Sequence, residues 1–290
     1  MLIAQITDLH VVADGTLCSG TVPTNELLRQ AVERLRTLRP RPDVVLATGD
    51  LADHGTDEEY AALARLLAPL PMPVFVIPGN HDDRDALRRA FPDHHYLPTR
   101  GFLHYAIEDQ PLRLIGLDTV APGRPGGELC AERLAWLETT LAAASRPTLV
   151  FLHHPPFDTG IWWMDAIGLT GRRRLEAIVR RHANVEAVVA GHVHRTIVRR
   201  WAGTLGCVAP STAHQLALDL AGEEFLAVNR EPAGALLHDW RDGTITTHVL
   251  AITPAPSFVP ADHATPETLA KTRAYFERAA QTLKAAETLA

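Results

Sequence analysis

Residues 78–83 read Pro-Gly-Asn-His-Asp-Asp and follow Val74-Phe75-Val76-Ile77, a short apolar run with the signature of a buried strand. Pro78 and Gly79 end that strand. Asn80 and His81 therefore fall on a tight turn at its C-terminal end, where open α/β sheets build their sites. An amide oxygen ligates a hard cation, and the neighbouring imidazole moves a proton. Taken alone, the segment reads equally well as an Asx turn with an exposed histidine. Four more apolar runs end the same way. Asp8 and His10 follow residues 2–6, Asp50 follows 43–47, His153 and His154 follow 148–152, and His192 and His194 follow 185–190. In an extended segment, the members of a D-x-H or H-x-H pair share one face. Each signal alone is weak, but five in order point to a metal site.

The ligand types are carboxylate, imidazole and amide, without thiolate, which suits Zn, Fe, Mn or Co and excludes a Cys-type structural zinc site. Asp8, His10, Asp50, Asn80, His153, His192 and His194 exceed what one tetrahedral ion with an open position needs. Two ions sharing a carboxylate use them economically. Asp50 is the natural bridge, a lone carboxylate between the two groups of ligands. Two such ions hold a hydroxide at neutral pH and clamp a phosphoryl group. If both are divalent, the core with Asp8, Asp50 and one hydroxide is close to a single positive charge, which matches a phosphodiester monoanion. No Lys or Arg lies within these motifs, although Arg84 and Arg195 sit beside them.

Alternating elements must carry these turns. The patterns predict strands at 2–6, 43–47 and 74–77, with helices at 24–39 (N-capped by Thr24), 57–68 and 84–90 between and after them. That alternation implies a parallel sheet with right-handed crossovers. A hairpin is expected over 102–118, then a helix at 132–144 and a strand at 148–152. Next come a helix at 172–181, a strand at 185–190 and shorter strands at 196–201 and 205–209. Arg241-Asp242-Gly243 signals a hairpin joining 236–240 to 244–250. The second half is thus expected to be more antiparallel. A last helix over 265–290 has Thr265 as cap, with Leu269, Phe276 and Leu283 recurring every seven residues. It either docks on the parent domain, 1–255, or makes a homo-oligomer contact.

The 290 residues suit one large domain, or a domain with an extension, and 46% hydrophobic with 21% charged residues is an ordinary globular mixture. A net charge of -6 argues against long nucleic acids as partners. Cys18, Cys130 and Cys207 form no CxxC, so a reducing compartment fits. No leader and no membrane span are expected, which leaves a cytoplasmic protein as the default.

Together, Asp8-Leu9-His10, Gly49-Asp50, Gly79-Asn80-His81-Asp82, His153-His154 and Gly191-His192-Val193-His194 resemble the calcineurin-like metallophosphoesterase signature. The wording is most similar to class III cyclic-nucleotide phosphodiesterases and the related glycerophosphodiesterases, which share His-His-Pro-Pro, a Trp-Leu-Glu segment like 136–138 and a turn like Ser211-Thr212. The resemblance implies an α/β fold, a four-layer αββα sandwich, here with a C-terminal hairpin and helical extension. It implies two divalent or mixed-valence ions. The first would take Asp8, His10, Asp50 and His194, and the second Asp50, Asn80, His153 and His192. His81 would touch the phosphate beside Asn80 and help the leaving alkoxide, and His214 would lie near the substrate. His154 points the other way on its strand and has a structural role. Protein Ser/Thr phosphatases of this superfamily have Asp-Arg-Gly where Asp53-His54-Gly55 stands, so that activity is disfavoured.

The reading is hydrolysis of small phosphodiesters, either 3',5'-cyclic nucleotides or glycerophosphodiesters, by a metal-bridging hydroxide attacking phosphorus. The alternatives are a phosphomonoesterase and a catalytically silent module that binds metal or a phosphorylated ligand. Ile161, Trp162, Trp163 and Met164 follow a ligand in an expected loop, where they either stack on a base or pack into the core. Arg172-Arg173-Arg174 reads as a solvated helix face.

Overall fold

Strand and helix alternate through the first third of the chain. The order is β1 (Leu2–Ile6), α1 (Thr24–Thr37), β2 (Val44–Thr48), α2 (Asp57–Leu67), β3 (Val74–Ile77) and α3 (Arg84–Ala90). There follow β4 (Tyr105–Ile107), β5 (Arg113–Leu117), β6 (Gly127–Glu128), α4 (Ala131–Ala142), β7 (Thr148–Leu152), α5 (Trp162–Ala166), β8 (Leu169–Thr170), α6 (Arg172–Arg181) and β9 (Val185–Ala190). The remaining strands are β10 (Ile197–Trp201), β11 (Thr204–Val208), β12 (Gln215–Leu216), β13 (Val228–Asn229), β14 (Gly234–Arg241) and β15 (Thr244–Ala251), and α7 (Pro266–Thr288) comes last. This computed structural model describes residues 1–288, so the expected helix end at Ala290 lies outside the described residues.

One sheet has the order β15-β14-β1-β2-β3 and the other β10-β11-β9-β7-β5-β4. In β7, Leu149 and Phe151 join the core that also contains Leu28, Leu35, Tyr60 and Leu63 of α1 and α2. Val150 and Leu152, on the opposite face, join Leu134 and Leu137 of α4 and Leu175 and Ile178 of α6. Each sheet thus carries helices on its outer face while the inner faces meet, the αββα arrangement. Near-continuous burial in β2 and β7 is what strands covered on both faces require.

The second half is more antiparallel than the first, as expected: β4–β5, β10–β11, β12–β13 and β14–β15 are antiparallel, and β14 also runs antiparallel to β1, while β5, β7, β9 and β11 run parallel. Thr24 is not the cap of α1. Pro23 holds that position, and the Thr24 hydroxyl donates to His10 O at 2.6 Å. Thr56 does cap α2, through a capping box with Glu59. The Trp162 segment is the short helix α5, with Trp163 and Met164 buried and Trp162 half exposed.

The chain divides into two compact units, Met1–Thr253 and a second beginning at Pro254. In the second, the Thr265 hydroxyl accepts from Thr268 N and caps α7. Leu269, Phe276 and Leu283 are exposed.

Candidate metal centre

The five turns meet at one end of the two sheets. The backbone does not stay extended there, as the alternation argument assumed. Asp8, His10, Asp50, His192 and His194 all have positive φ, from 44° to 71°. Past β1 the chain goes on pairing with the segment after β2, through Asp8 N to Gly49 O, His10 N to Asp50 O and Val11 N to Leu51 O. The left-handed residues turn the side chains inward while that pairing continues. Small residues make room for it. A Cβ on Gly49 would run into the His153 ring, and one on Gly191 into the Thr7 hydroxyl.

The resulting cleft holds about 240 Å³ and is lined by His10, Asp50, Asn80, His81, His192, His194 and His214. Asp8 and His153 lie fully buried beneath it. Asp8, His10 and His194 bring ligand atoms within 4.8 Å of one another, and so do Asp8, Asp50 and His153. Asp50 Oδ2 lies 3.3 Å from His153 Nε2 and 3.8 Å from His10 Nε2, between the two groups. Its Oδ1 accepts His81 N at 3.0 Å. The seven candidate ligands, His81 and His214 are therefore brought together at one cleft.

Most of these imidazoles have one nitrogen fixed from behind. His153 Nδ1 donates to Thr48 O at 2.9 Å and His194 Nδ1 to His214 O at 2.8 Å. His10 Nδ1 is 2.9 Å from Asp53 Oδ1, and His81 Nδ1 donates to Asp53 O at 2.7 Å. As neutral rings, His10, His153 and His194 then present the Nε2 lone pair to the cleft. His10 Nε2 and His194 Nε2 are only 3.2 Å apart, and His153 Nε2 is 3.2 Å from Asn80 Oδ1. Acceptors this close need a proton or a cation between them. His192 Nε2 is buried and has no hydrogen-bond partner at all. Its backbone N–H donates to both oxygens of Asp8. A converging set of acceptors with an orphaned nitrogen fits metal ions.

The electrostatics agree. Burial pushes Asp8 up, but His194 and then His153 together outweigh it and hold the carboxyl at about 2. Asp50 is also held low, against burial, chiefly by His153. Burial lowers His153, yet Asp50 raises it to about 9, because the site draws in positive charge. His192 is pushed down to about 3 by burial and then by His153, so it stays a neutral ligand. Burial, then His194 and His10, lower His214 to about 3.

His154 takes no part. It hydrogen-bonds Thr119 Oγ1 at 2.8 Å through Nδ1 and Pro125 O at 3.1 Å through Nε2, leaving no lone pair for a cation. The arginines beside the motifs are also engaged. Arg84 forks onto Asp118 at 2.6 and 2.8 Å, and Arg195 pairs with Glu231 at 2.9 Å and donates to Leu216 O.

Two carboxylates were not anticipated as part of the site. Asp53 orients both His10 and His81. Its only signal is a position three residues beyond Asp50, where the triplet was read solely for its missing arginine. Asp82 accepts from Gly79 N, Leu51 N, Ala52 N and Tyr60 Oη, tying the Asn80 turn to the Asp50 turn. Trp163, Met164, Ile167 and Leu216 form an apolar wall above. Trp162 and Trp163 both pack on Phe225, at ring-centroid distances of 5.7 and 5.8 Å.

Comparison with known proteins gives consistent matches. The calcineurin-like phosphoesterase family model matches residues 1–196. A protein of Arcobacter nitrofigilis, named a probable glycerophosphodiester phosphodiesterase, is 37% identical over 251 residues, spanning 86% of this chain and 92% of that one. The 3',5'-cyclic adenosine monophosphate phosphodiesterase of Escherichia coli K12 is 32% identical over 248 residues, 85% of this chain and 88% of its own. Among solved structures, a dimetal phosphatase from Danio rerio superposes with a TM-score of 0.65 at 16% identity, covering 87% of this chain and 96% of that chain. That likeness concerns the fold alone.

Proposed function

The chain belongs to the calcineurin-like phosphoesterase family, and from that premise we propose that it is a metal-dependent hydrolase of small phosphodiesters, 3',5'-cyclic nucleotides or glycerophosphodiesters. The observation that carries the choice of diester is the cleft lining, which contains ligands and apolar side chains but neither Lys nor Arg. A monoester dianion needs more positive charge than a diester monoanion. The arginines beside the motifs, Arg84 and Arg195, are already paired with Asp118 and Glu231.

Asp8, His10, Asp50 and His194 would hold one ion, and Asp50, Asn80, His153 and His192 the other. When bound, two divalent or mixed-valence ions of Mn, Fe, Zn or Co lower the pKa of water and draw charge from the phosphoryl oxygens. Asp50, whose Oδ2 lies between the two groups, would serve both ions. Asn80 and His81 position the phosphoryl group. His81, held through Nδ1 by Asp53 O, offers Nε2 to the leaving oxygen and supplies its proton. His214 lines the cleft 4.6 Å, ring to ring, from His194 and is assigned to substrate binding.

We read residues 1–255 as the hydrolase domain and 256–290 as an extension. No helix among the described residues is long and apolar enough to cross a membrane, and the three cysteines are free. Free thiols suit a cytoplasmic setting.

The test is a panel of cyclic AMP, glycerophosphocholine, bis(p-nitrophenyl) phosphate and p-nitrophenyl phosphate, run on protein loaded with each metal. Turnover of the diesters, lost in Asn80→Ala, is expected. Turnover of the monoester alone would replace the reading with a phosphatase, and metal binding without turnover would replace it with a binding module.

A further inference from the structure

Away from the metal centre, a concavity of about 250 Å³ is walled by arginine. Arg172, Glu176 and Arg180 recur every four residues along one face of α6, with Arg173 beside them. Across the concavity, β10 supplies Arg199 and Arg200. Against these five guanidiniums stand two carboxylates, Glu176 and Asp158, in a chain whose net charge is -6.

Two of the arginines are held ready. Arg172 pairs with Asp158, while Arg199 donates to Asp158 O at 3.0 Å and lies over the Phe157 ring. Arg180 pairs with Glu176 at 2.6 Å. The side chains of Arg173 and Arg200 are exposed and, among the described residues, have neither a hydrogen bond nor an ion pair. Charge on β10 alone has an ordinary explanation, since β10 is an edge strand and charged edges resist pairing with other chains. That does not account for arginines on α6 facing the same space. Those at Arg172 and Arg173 also oppose the dipole of the helix start, where no acidic residue occurs in the first turn. Crowded like charge and an opposed dipole both destabilise the free protein, and a bound anion relieves both.

We infer that this concavity binds a phosphomonoester dianion. Planar guanidinium forks match the oxygens of a phosphoryl group, and several of them together suit a dianion better than a monoanion. The volume admits a phosphoryl head with a small stem rather than a polymer. The inference does not depend on what the metal centre hydrolyses.

Calorimetric titration of the metal-loaded full chain tests it. Adenosine 5'-monophosphate and glycerol 3-phosphate serve as probes, with adenosine and glycerol as uncharged controls, at constant ionic strength. Both phosphates should show a binding event that survives in Asn80→Ala, which disables the metal centre. The Arg173→Gln/Arg200→Gln double variant should weaken that event about tenfold or more, the loss of charge-assisted hydrogen bonds. Neither side chain has a partner in the fold, so the melting temperature should not move. Unchanged affinity in the double variant would overturn the inference, as would a binding event that disappears entirely in Asn80→Ala. Binding of adenosine but not glycerol 3-phosphate would also overturn it, because recognition would then be of the base.

Discussion

On the floor of the cleft, His10, His153 and His194 each commit one ring nitrogen to a protein acceptor, and Asp8, His10, Asp50, His153, His192 and His194 are all buried. On the wall above, Trp162 stacks on Phe225 with 52% and 61% of their surfaces exposed. Phe225 belongs to a loop closed by the two-residue strands β12 and β13 and the bond from Ala217 N to Ala227 O. The floor is fixed from two sheets at once. Gln5 in β1 donates to Thr48 Oγ1 of β2 and to Ala190 O of β9, and it also contacts His238 of β14. In the wall, Trp163, Met164 and Leu216 are buried, and it is the Trp162–Phe225 pair beside Trp163 that is exposed. Under the proposed function, the preorganised donors would act in the reaction and the apolar wall would select the ester.

Four measurements break or sharpen this contrast. The largest effect is expected on the floor. Asp50→Ala should lower kcat by about 10³-fold or more and reduce retained metal, as read by elemental analysis. Full metal content with normal turnover would remove Asp50 from the centre. His81→Asn should lower kcat by about 10²- to 10⁴-fold while metal content stays that of the parent, because His81 acts on substrate. Loss of metal in that variant would make it a ligand instead.

Beneath the floor, burial lowers His238 to about 4, and its ring nitrogens are bonded to Thr247 Oγ1 and Gln5 Oε1. A folded value below the unfolded 6.5 means that the unfolded chain takes the proton more readily. Stability is therefore full above about pH 6.5 and falls as the pH drops toward 4, by about 3 kcal/mol in total. Urea unfolding of His238→Gln at pH 7 and 4.5 should show a smaller pH loss than the parent, and equal losses would exclude His238 as the source. The smallest effect belongs to the wall. Trp163→Phe should leave metal content unchanged and shift the kcat/KM ratio between cyclic AMP and glycerophosphocholine by up to about tenfold. A ratio that does not move would assign selection of the ester elsewhere.

The floor was legible in the sequence because its donors sit at fixed offsets from apolar strand runs, so one pattern announces both the strand and its ligand. The same runs, alternating with helices, announced a parallel sheet, whereas the four-layer sandwich came only through the family resemblance. What the residues did not announce was the backbone. Alternation in an extended chain brings Asp8 and His10 to one face, yet both are left-handed, and only pairing with the segment after β2 brings about their convergence. Asp53 was hidden because its role lies in contacts with His10 and His81, not in a spacing. The wall was half legible. The run 161–164 stood out as a pocket or core candidate, but Leu216, distant in sequence and apolar, looks like any core residue until its neighbours are known.

The left-handed turns at Asp8, His10, Asp50, His192 and His194 bear on how such a centre is kept over time. Non-glycine residues in that region cost of order 1–3 kcal/mol each, held only by the surroundings. Replacing one of them by glycine would relax the chain while deleting a donor, so inactivation and stabilisation go together at these positions. A lineage released from selection for turnover would drift downhill toward a firmer, inert scaffold. Retention of all five therefore measures how strongly catalysis is still demanded of the chain.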